Sequence, residues 1–159
     1  MTLETNETPD LDFLRTVPVL GGLEDAELER VWSYAEVHRH GADETVLHEG
    51  DLAKEMFVVL EGEVEIVSGA DALVLGNLKR GDCFGEMALI DIQPRSASVR
   101  TLAPTTLLVI GFDDLIRIYQ FNMQTYTIVV LNIAREISRR LRKANTLLAA
   151  AGVLQHTGP

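Results

Sequence analysis

The feature that most constrains this chain is a change of hydrophobic period. Between Glu24 and Ala35 the apolar residues Leu28, Val31, Trp32 and Ala35 fall at helical spacing, behind acids in the first turn. From Val37 the period drops from 3.6 to 2, and it returns to helical only after Gly111. The stretch between breaks into short apolar runs at Thr45–His48, Met56–Leu60, Glu63–Val67, Leu73–Leu78, Ala97–Thr101 and Thr105–Ile110. Turn-forming residues separate them: Gly50-Asp51, Glu61-Gly62, Ser68-Gly69-Ala70-Asp71, Arg80-Gly81-Asp82 and Ala103-Pro104. Many short strands at near-regular spacing predict an antiparallel sandwich or barrel. Glu61-Gly62 is placed to close a tight hairpin.

Helices are expected on both flanks. Residues 1–10 read as a flexible leader, and Leu11–Val17 as a short helix ending before Pro18, whose ring disfavours helix in the residue preceding it. Phe112–Tyr119 predicts a second short helix, with Asn122 as its break, followed by a long helix from Met123 to Ala151. Its apolar positions Val130, Ile133, Ile137, Leu141, Ala144 and Leu148 are spaced 3-4-4-3-4, a coiled-coil-like stripe longer than a small barrel can cover. The stripe suggests homodimerisation or docking with another helix. The expected organisation is residues 11–111 for the N-terminal helices and barrel, 112–151 for a hinge helix and long C-terminal helix of the same domain, and 152–159 for a tail.

Charge and cysteine content narrow the function. With 47% apolar residues the chain can bury a core. The net charge of −10 argues against coating nucleic acid or an anionic membrane through bulk charge. The charge is uneven: from Leu131 to Asn145 five basic residues (Arg135, Arg139, Arg140, Arg142, Lys143) meet one acid, Glu136, a net +4 that leaves −14 elsewhere. The single cysteine, Cys83, excludes an internal disulfide framework and a thiolate zinc cluster, and reads as a small core filler. Met1–Asp10 lacks the apolar region of a signal peptide, and no apolar run approaches the roughly 20 residues of a membrane helix. A cytoplasmic protein with no membrane association is expected.

The densest chemistry lies between Gly81 and Arg100. Gly85 lets backbone approach a ligand closely, and Glu86–Leu89 reads as one helical turn whose first N–H groups suit an anion. Arg95, fixed by Pro94, offers a guanidinium fork for phosphate oxygens, with the Ser96 hydroxyl beside it. Glu86 is an acceptor suited to a sugar hydroxyl. An acid for sugar hydroxyls and an arginine for phosphate together describe a nucleotide monophosphate.

Phe84-Gly85-Glu86-Met87-Ala88-Leu89 followed by Pro94-Arg95-Ser96-Ala97-Ser98-Val99 resembles the phosphate-binding cassette of cyclic nucleotide-binding domains, the family of catabolite activator proteins and cyclic-AMP-dependent kinase regulatory subunits. Glu49-Gly50-Asp51, Met56–Val64 with Phe57, Phe13-Leu14, Pro18-Val19-Leu20 and Ile137–Leu141 extend the resemblance over about residues 12–148. It implies a mainly β fold with flanking helices: a jelly-roll-like antiparallel β-barrel with a short N-terminal helical segment and a long C-terminal helix. It also implies that Glu86 holds the ribose 2′-hydroxyl and Arg95 the cyclic phosphate. Gly85, Met87 and Ala88 would offer backbone, Ser96 a hydrogen bond, and Ala97 the end of the ligand-binding stretch. Leu141, Arg142, Ala144 and Asn145 fall where bacterial relatives place a lid over the base. Ser96 stands where kinase domains have alanine (cyclic AMP) or threonine (cyclic GMP), so both nucleotides stay open.

The resemblance implies a non-enzymatic module, with no cofactor or metal, that passes ligand binding through its C-terminal helices to a protein effector. Catabolite activators follow the long helix with a DNA-binding helix-turn-helix of roughly twenty residues at minimum, whereas eight residues follow Ala151, so DNA is not an expected partner. Two alternatives stand beside it. His38, His40 and Glu44 form the His-x-His-x-x-x-Glu string by which cupin barrels hold a metal, which would make a metal-dependent oxygenase. Glu86 and Arg95 as a purely structural ion pair would make a non-binding scaffold of the same fold.

Overall fold

The computed structural model describes residues 2–3 and 7–152. Along the chain run β1 (Thr2–Leu3), α1 (Leu11–Thr16), a 3-10 turn (Pro18–Leu20), α2 (Asp25–Tyr34), β2 (Glu36–His40), β3 (Thr45–Leu47), β4 (Glu55–Glu61), β5 (Glu63–Ser68) and β6 (Leu73–Lys79). Then follow β7 (Cys83–Phe84), α3 (Met87–Asp91), β8 (Ser98–Thr101), β9 (Thr105–Gly111), α4 (Phe112–Phe121) and α5 (Met123–Ala150). The strands form two antiparallel sheets, β1-β2-β9-β4-β7 and β3-β8-β5-β6, the jelly-roll-like arrangement expected.

Two cores share the central strands. On β4, Phe57 and Val59 point between the sheets with Val64, Phe84, Val99, Leu107 and Val109. Met56 and Val58 point the other way, into a larger core with Leu28, Val31 and Trp32 of α2, Leu115 and Ile118 of α4, and Val129 and Ile133 of α5. Strand β9 divides in the same manner, with Leu108 and Ile110 on the helical side. A strand covered on both faces has no polar side, which is why Met56–Leu60 reads as an unbroken apolar run. Gly62 makes the β4–β5 hairpin at φ +94°, where a Cβ would lie 2.6 Å from the Pro104 carbonyl oxygen.

The helices obey local signals. Asn122 caps α5 by accepting from Gln124 N at 2.8 Å and Thr125 N at 3.2 Å. In α5 the buried residues are Thr125, Val129, Asn132, Ile133 and Glu136, so the covered face is partly polar. Asn132 earns its place by donating to the Gly21 carbonyl at 2.8 Å, and Thr125 by donating to Glu27 at 2.6 Å. The expected stripe is therefore split: Ile133 and Ile137 pack on the body, while Leu141, Ala144 and Leu148 are exposed.

Three strands lie outside the apolar runs of the sequence: β1, β2 and β7. Residues 1–10 are not wholly a frayed leader, because Thr2 and Leu3 pair with His38 and Val37, and the Glu7 carbonyl accepts from Trp32 Nε1 at 3.0 Å. Two-residue strands such as β1 and β7 have no period to detect. The expected tail lies outside the described residues from 153 onward. No helix among the described residues is long and apolar enough to cross a membrane.

Leu108 is fully buried on the helical side of β9. Leu108→Ala is expected to cost about 2–5 kcal/mol, read as a shift in the urea unfolding midpoint.

Candidate ligand-binding site

The site is built where β7 ends. After Phe84 the backbone turns at Gly85 with φ +77°, and Glu86 stands just before the short helix α3 with no side-chain capping bond to it. Ile92 closes that helix in the left-handed region, at φ +51°, and Pro94 leads into Arg95. Backbone bonds then stitch Arg95 to the loop before β4: its N–H donates to the Asp51 carbonyl and its carbonyl accepts from Gly50 N, both at 2.9 Å. The Glu49-Gly50-Asp51 match in the sequence thus marks the clasp of the cassette.

Arg95 is 6% exposed. Its Nη1 donates to the Gly85 carbonyl at 3.1 Å, and its Nη2 donates to the Glu55 carbonyl at 2.8 Å and to Glu55 Oε2 at 3.4 Å. Its guanidinium lies 5.9 Å from the Phe57 ring, which stacks on Phe84 at 5.0 Å. Burial pulls the Arg95 pKa below its usual value, against the opposing pull of Glu55, Glu86 and Asp51. At Gly85 a Cβ would lie 2.8 Å from Arg95 Nη1 and 2.9 Å from the Glu55 carbonyl oxygen, so glycine alone fits.

Glu86, also buried, accepts from Arg140 Nη1 of α5 at 2.9 Å through Oε1. The same guanidinium donates to the Cys83 carbonyl, and through Nε to Glu136 Oε1 at 3.1 Å. Burial alone would lower the Arg140 pKa, but Glu86, Cys83 and Glu136 outweigh it and hold it above its usual value. Three buried side-chain polar atoms have no hydrogen-bond partner among the described residues: His40 Nε2 and, at this site, Glu86 Oε2 and Arg95 Nε. Glu86 and Arg95 line one cavity of about 200 Å³, with Gly85, Met87, Ala88, Ser96 and Ala97, apolar walls from Leu47, Ile66, Phe84 and Val99, and Arg140. A carboxylate and a guanidinium bordering one largely apolar cavity can accept from hydroxyls and donate to anionic oxygens.

All seven residues expected at the ligand, Gly85, Glu86, Met87, Ala88, Arg95, Ser96 and Ala97, line this cavity. The four expected lid residues do not. Leu141, Arg142, Ala144 and Asn145 are exposed and absent from the lining, because α5 runs clear of the body beyond Arg140. Arg140 is the α5 residue that does line the cavity; its signal in the sequence is the Glu136–Arg140 pair at i,i+4 inside the +4 segment. Glu55 contributes mainly a main-chain carbonyl, which carries no sequence signal.

The histidine string does not converge. His38 Nε2 pairs with Glu36 at 2.9 Å and His40 Nδ1 with Glu44 at 3.1 Å, with the ring centroids 6.4 Å apart. Among the described residues no group of three His, Cys, Asp or Glu side chains is arranged to hold a metal. These histidines line a wider, open groove of about 990 Å³ that shares Leu47 and Arg95 with the first cavity. The cupin-like reading therefore lacks its ligand set.

The family model for the cyclic nucleotide-binding domain matches residues 37–122, and the chain belongs to that family. It is 28% identical over 133 residues to a cAMP-dependent protein kinase regulatory subunit of Mycosarcoma maydis, covering 82% of this chain and 24% of that protein. It is 30% identical over 131 residues to the cyclic AMP receptor protein of Thermus thermophilus, covering 80% of this chain and 59% of that one. A solved cyclic nucleotide-binding domain from Methylobacillus flagellatus superposes with a TM-score of 0.80 at 22% identity, covering 94% of this chain and 87% of that one, a likeness of fold. The chain thus spans a quarter to three-fifths of the length of these two curated relatives.

Cys83 sits beside Arg140 in the wall behind the site. Burial pushes its thiol up to about 12, with Arg140 pulling down and Glu86, Glu136 and Asp82 pushing up. The reactive thiolate is thus suppressed at neutral pH. Thiol labelling at pH 8 is expected to be slow in the folded protein and fast in denaturant; rapid labelling of folded protein would contradict this placement.

Proposed function

We propose that the chain binds a cyclic nucleotide monophosphate, cyclic AMP or cyclic GMP, in the cavity between Glu86 and Arg95. The observation that carries this is the unfilled hydrogen-bonding capacity of two buried side chains on one cavity, Glu86 Oε2 and Arg95 Nε. Glu86 accepts from the ribose 2′-hydroxyl, Arg95 donates to the cyclic phosphate, and Ser96 adds a hydrogen bond. Gly85, Met87 and Ala88 offer backbone where no larger side chain obstructs the approach. The relatives named for cyclic AMP support the same ligand class. Occupancy is relayed by α4 and α5 to a partner protein, and the uncovered leucines of α5 meet a second copy.

Titration calorimetry with cyclic AMP and cyclic GMP tests the ligand. A charged hydrogen bond contributes roughly 1.5–3 kcal/mol, so Arg95→Ala should weaken binding by about ten-fold or more. Absence of heat with either nucleotide at millimolar concentration, on folded wild type, would overturn the reading. Light scattering tests the association: a wild-type dimer should become a monomer in Leu141→Glu, and equal masses would refute it.

A further inference from the structure

We infer that Ile92 is a positioning residue for the nucleotide, a strained joint that sets the two halves of the cavity against each other; the inference rests on the ligand reading above. Among the described residues three that are not glycine take a positive φ: Asp43, Ala72 and Ile92. Aspartate tolerates that region by bonding locally, and alanine is small. Ile92 is β-branched, and it stands fully in the left-handed region at φ 51°, ψ 44°. The penalty is not offset in place. The side chain is 47% exposed, so little burial compensates it, and its N–H makes no capping bond to α3 among the described residues.

The left-handed turn falls on Ile92 because its neighbours cannot take it. Residues 92–94 connect α3 to Arg95. Pro94 fixes its own φ and keeps Gln93 out of the helical region, which leaves Ile92 to absorb the turn. Both ends of the joint are anchored. Ala88 and Leu89 of α3 are buried, and Arg95 is clasped through its N–H by Asp51 and through its carbonyl by Gly50. Between the anchors residues 90–94 are all exposed. A bond of 3.3 Å from Gln93 N to Asp91 Oδ1 crosses Ile92. Strained backbone of this kind, fixed by its ends and not by packing, belongs at a ligand clamp.

The joint divides the site. Gly85–Ala88 border the cavity ahead of it, and Arg95–Ala97 border it behind. A nucleotide that meets Glu86 with its ribose and Arg95 with its phosphate bridges both halves, and it does so with Ile92 in the left-handed form. An L-residue disfavours that form by a factor of roughly 5–30. In the empty site only the anchors oppose this bias, so part of the population relaxes at Ile92 and the halves draw apart. Nucleotide selects the closed form, and its apparent affinity is reduced by the closed fraction.

Ile92 does not line the cavity, so substitutions there leave its walls intact. Ile92→Asn and Ile92→Gly relieve the penalty, whereas Ile92→Val keeps the β-branch. Calorimetry on the full chain with cyclic AMP and cyclic GMP, paired with urea unfolding of the nucleotide-free protein, separates positioning from a purely structural role. Ile92→Asn should tighten binding by about three-fold or more, with Ile92→Gly shifted in the same direction and Ile92→Val at wild-type affinity. Nucleotide should slow amide exchange over residues 90–94 in wild type, and empty Ile92→Asn should already exchange more slowly there. A higher unfolding midpoint in the Asn and Gly variants with affinity unchanged would show equal strain in both states and overturn the inference, leaving the ligand reading intact. Weaker binding in both folded variants would overturn it as well. Wild type that binds neither nucleotide overturns the ligand reading, and this inference falls with it.

Discussion

A guanidinium removed from water must be solvated again by the protein, and the buried side chain of Arg95 sets that demand at the centre of the molecule. The Gly85 and Glu55 carbonyls and the Glu55 carboxylate meet it at Nη1 and Nη2, and Nε is left without a partner among the described residues. Each of these groups constrains a different element. Gly85 must take a positive φ with no side chain, β4 must start where the Glu55 carbonyl faces the cassette, and the Gly50–Asp51 turn must clasp the Arg95 backbone. A segment whose only helix is five residues long is thereby held in one place without a core of its own.

Strand β4 joins that site to the rest of the fold. Its odd-numbered side, Phe57 and Val59, lies under the cavity, while Met56 and Val58 pack against the helices. The cassette and the helical layer thus share one rigid, doubly buried strand. They meet a second time at Arg140, through charge and not through apolar packing. The first connection sets where the helices sit; the second depends on the state of a single carboxylate.

Most of the architecture was legible because burial is periodic. The alternation between Val37 and Gly111 located six of the nine strands among the described residues, and the glycine-containing turns located the hairpins. Glu86 and Arg95 were legible because both are polar residues in an apolar, small-residue stretch. What escaped followed from features without a side-chain signature. The strands Thr2–Leu3 and Cys83–Phe84 are too short to show a period, and Glu55 acts largely through its backbone. The covered face of α5 was misread in part because Asn132 and Glu136 are buried by hydrogen bonds that no hydropathy pattern encodes. The expected lid residues stand away from the cavity because a stripe shows which way a helix faces, not where the body beneath it ends.

The free end of α5 has a mechanical consequence. From Arg140 to Ala150 the helix projects about 15 Å at 1.5 Å per residue. An arm of that length, hinged at its last attachment, turns a tilt of about 10° at the barrel into a displacement of roughly 2.6 Å at the tip. A small tilt at the barrel is thereby enlarged at the tip to the scale of a side-chain contact.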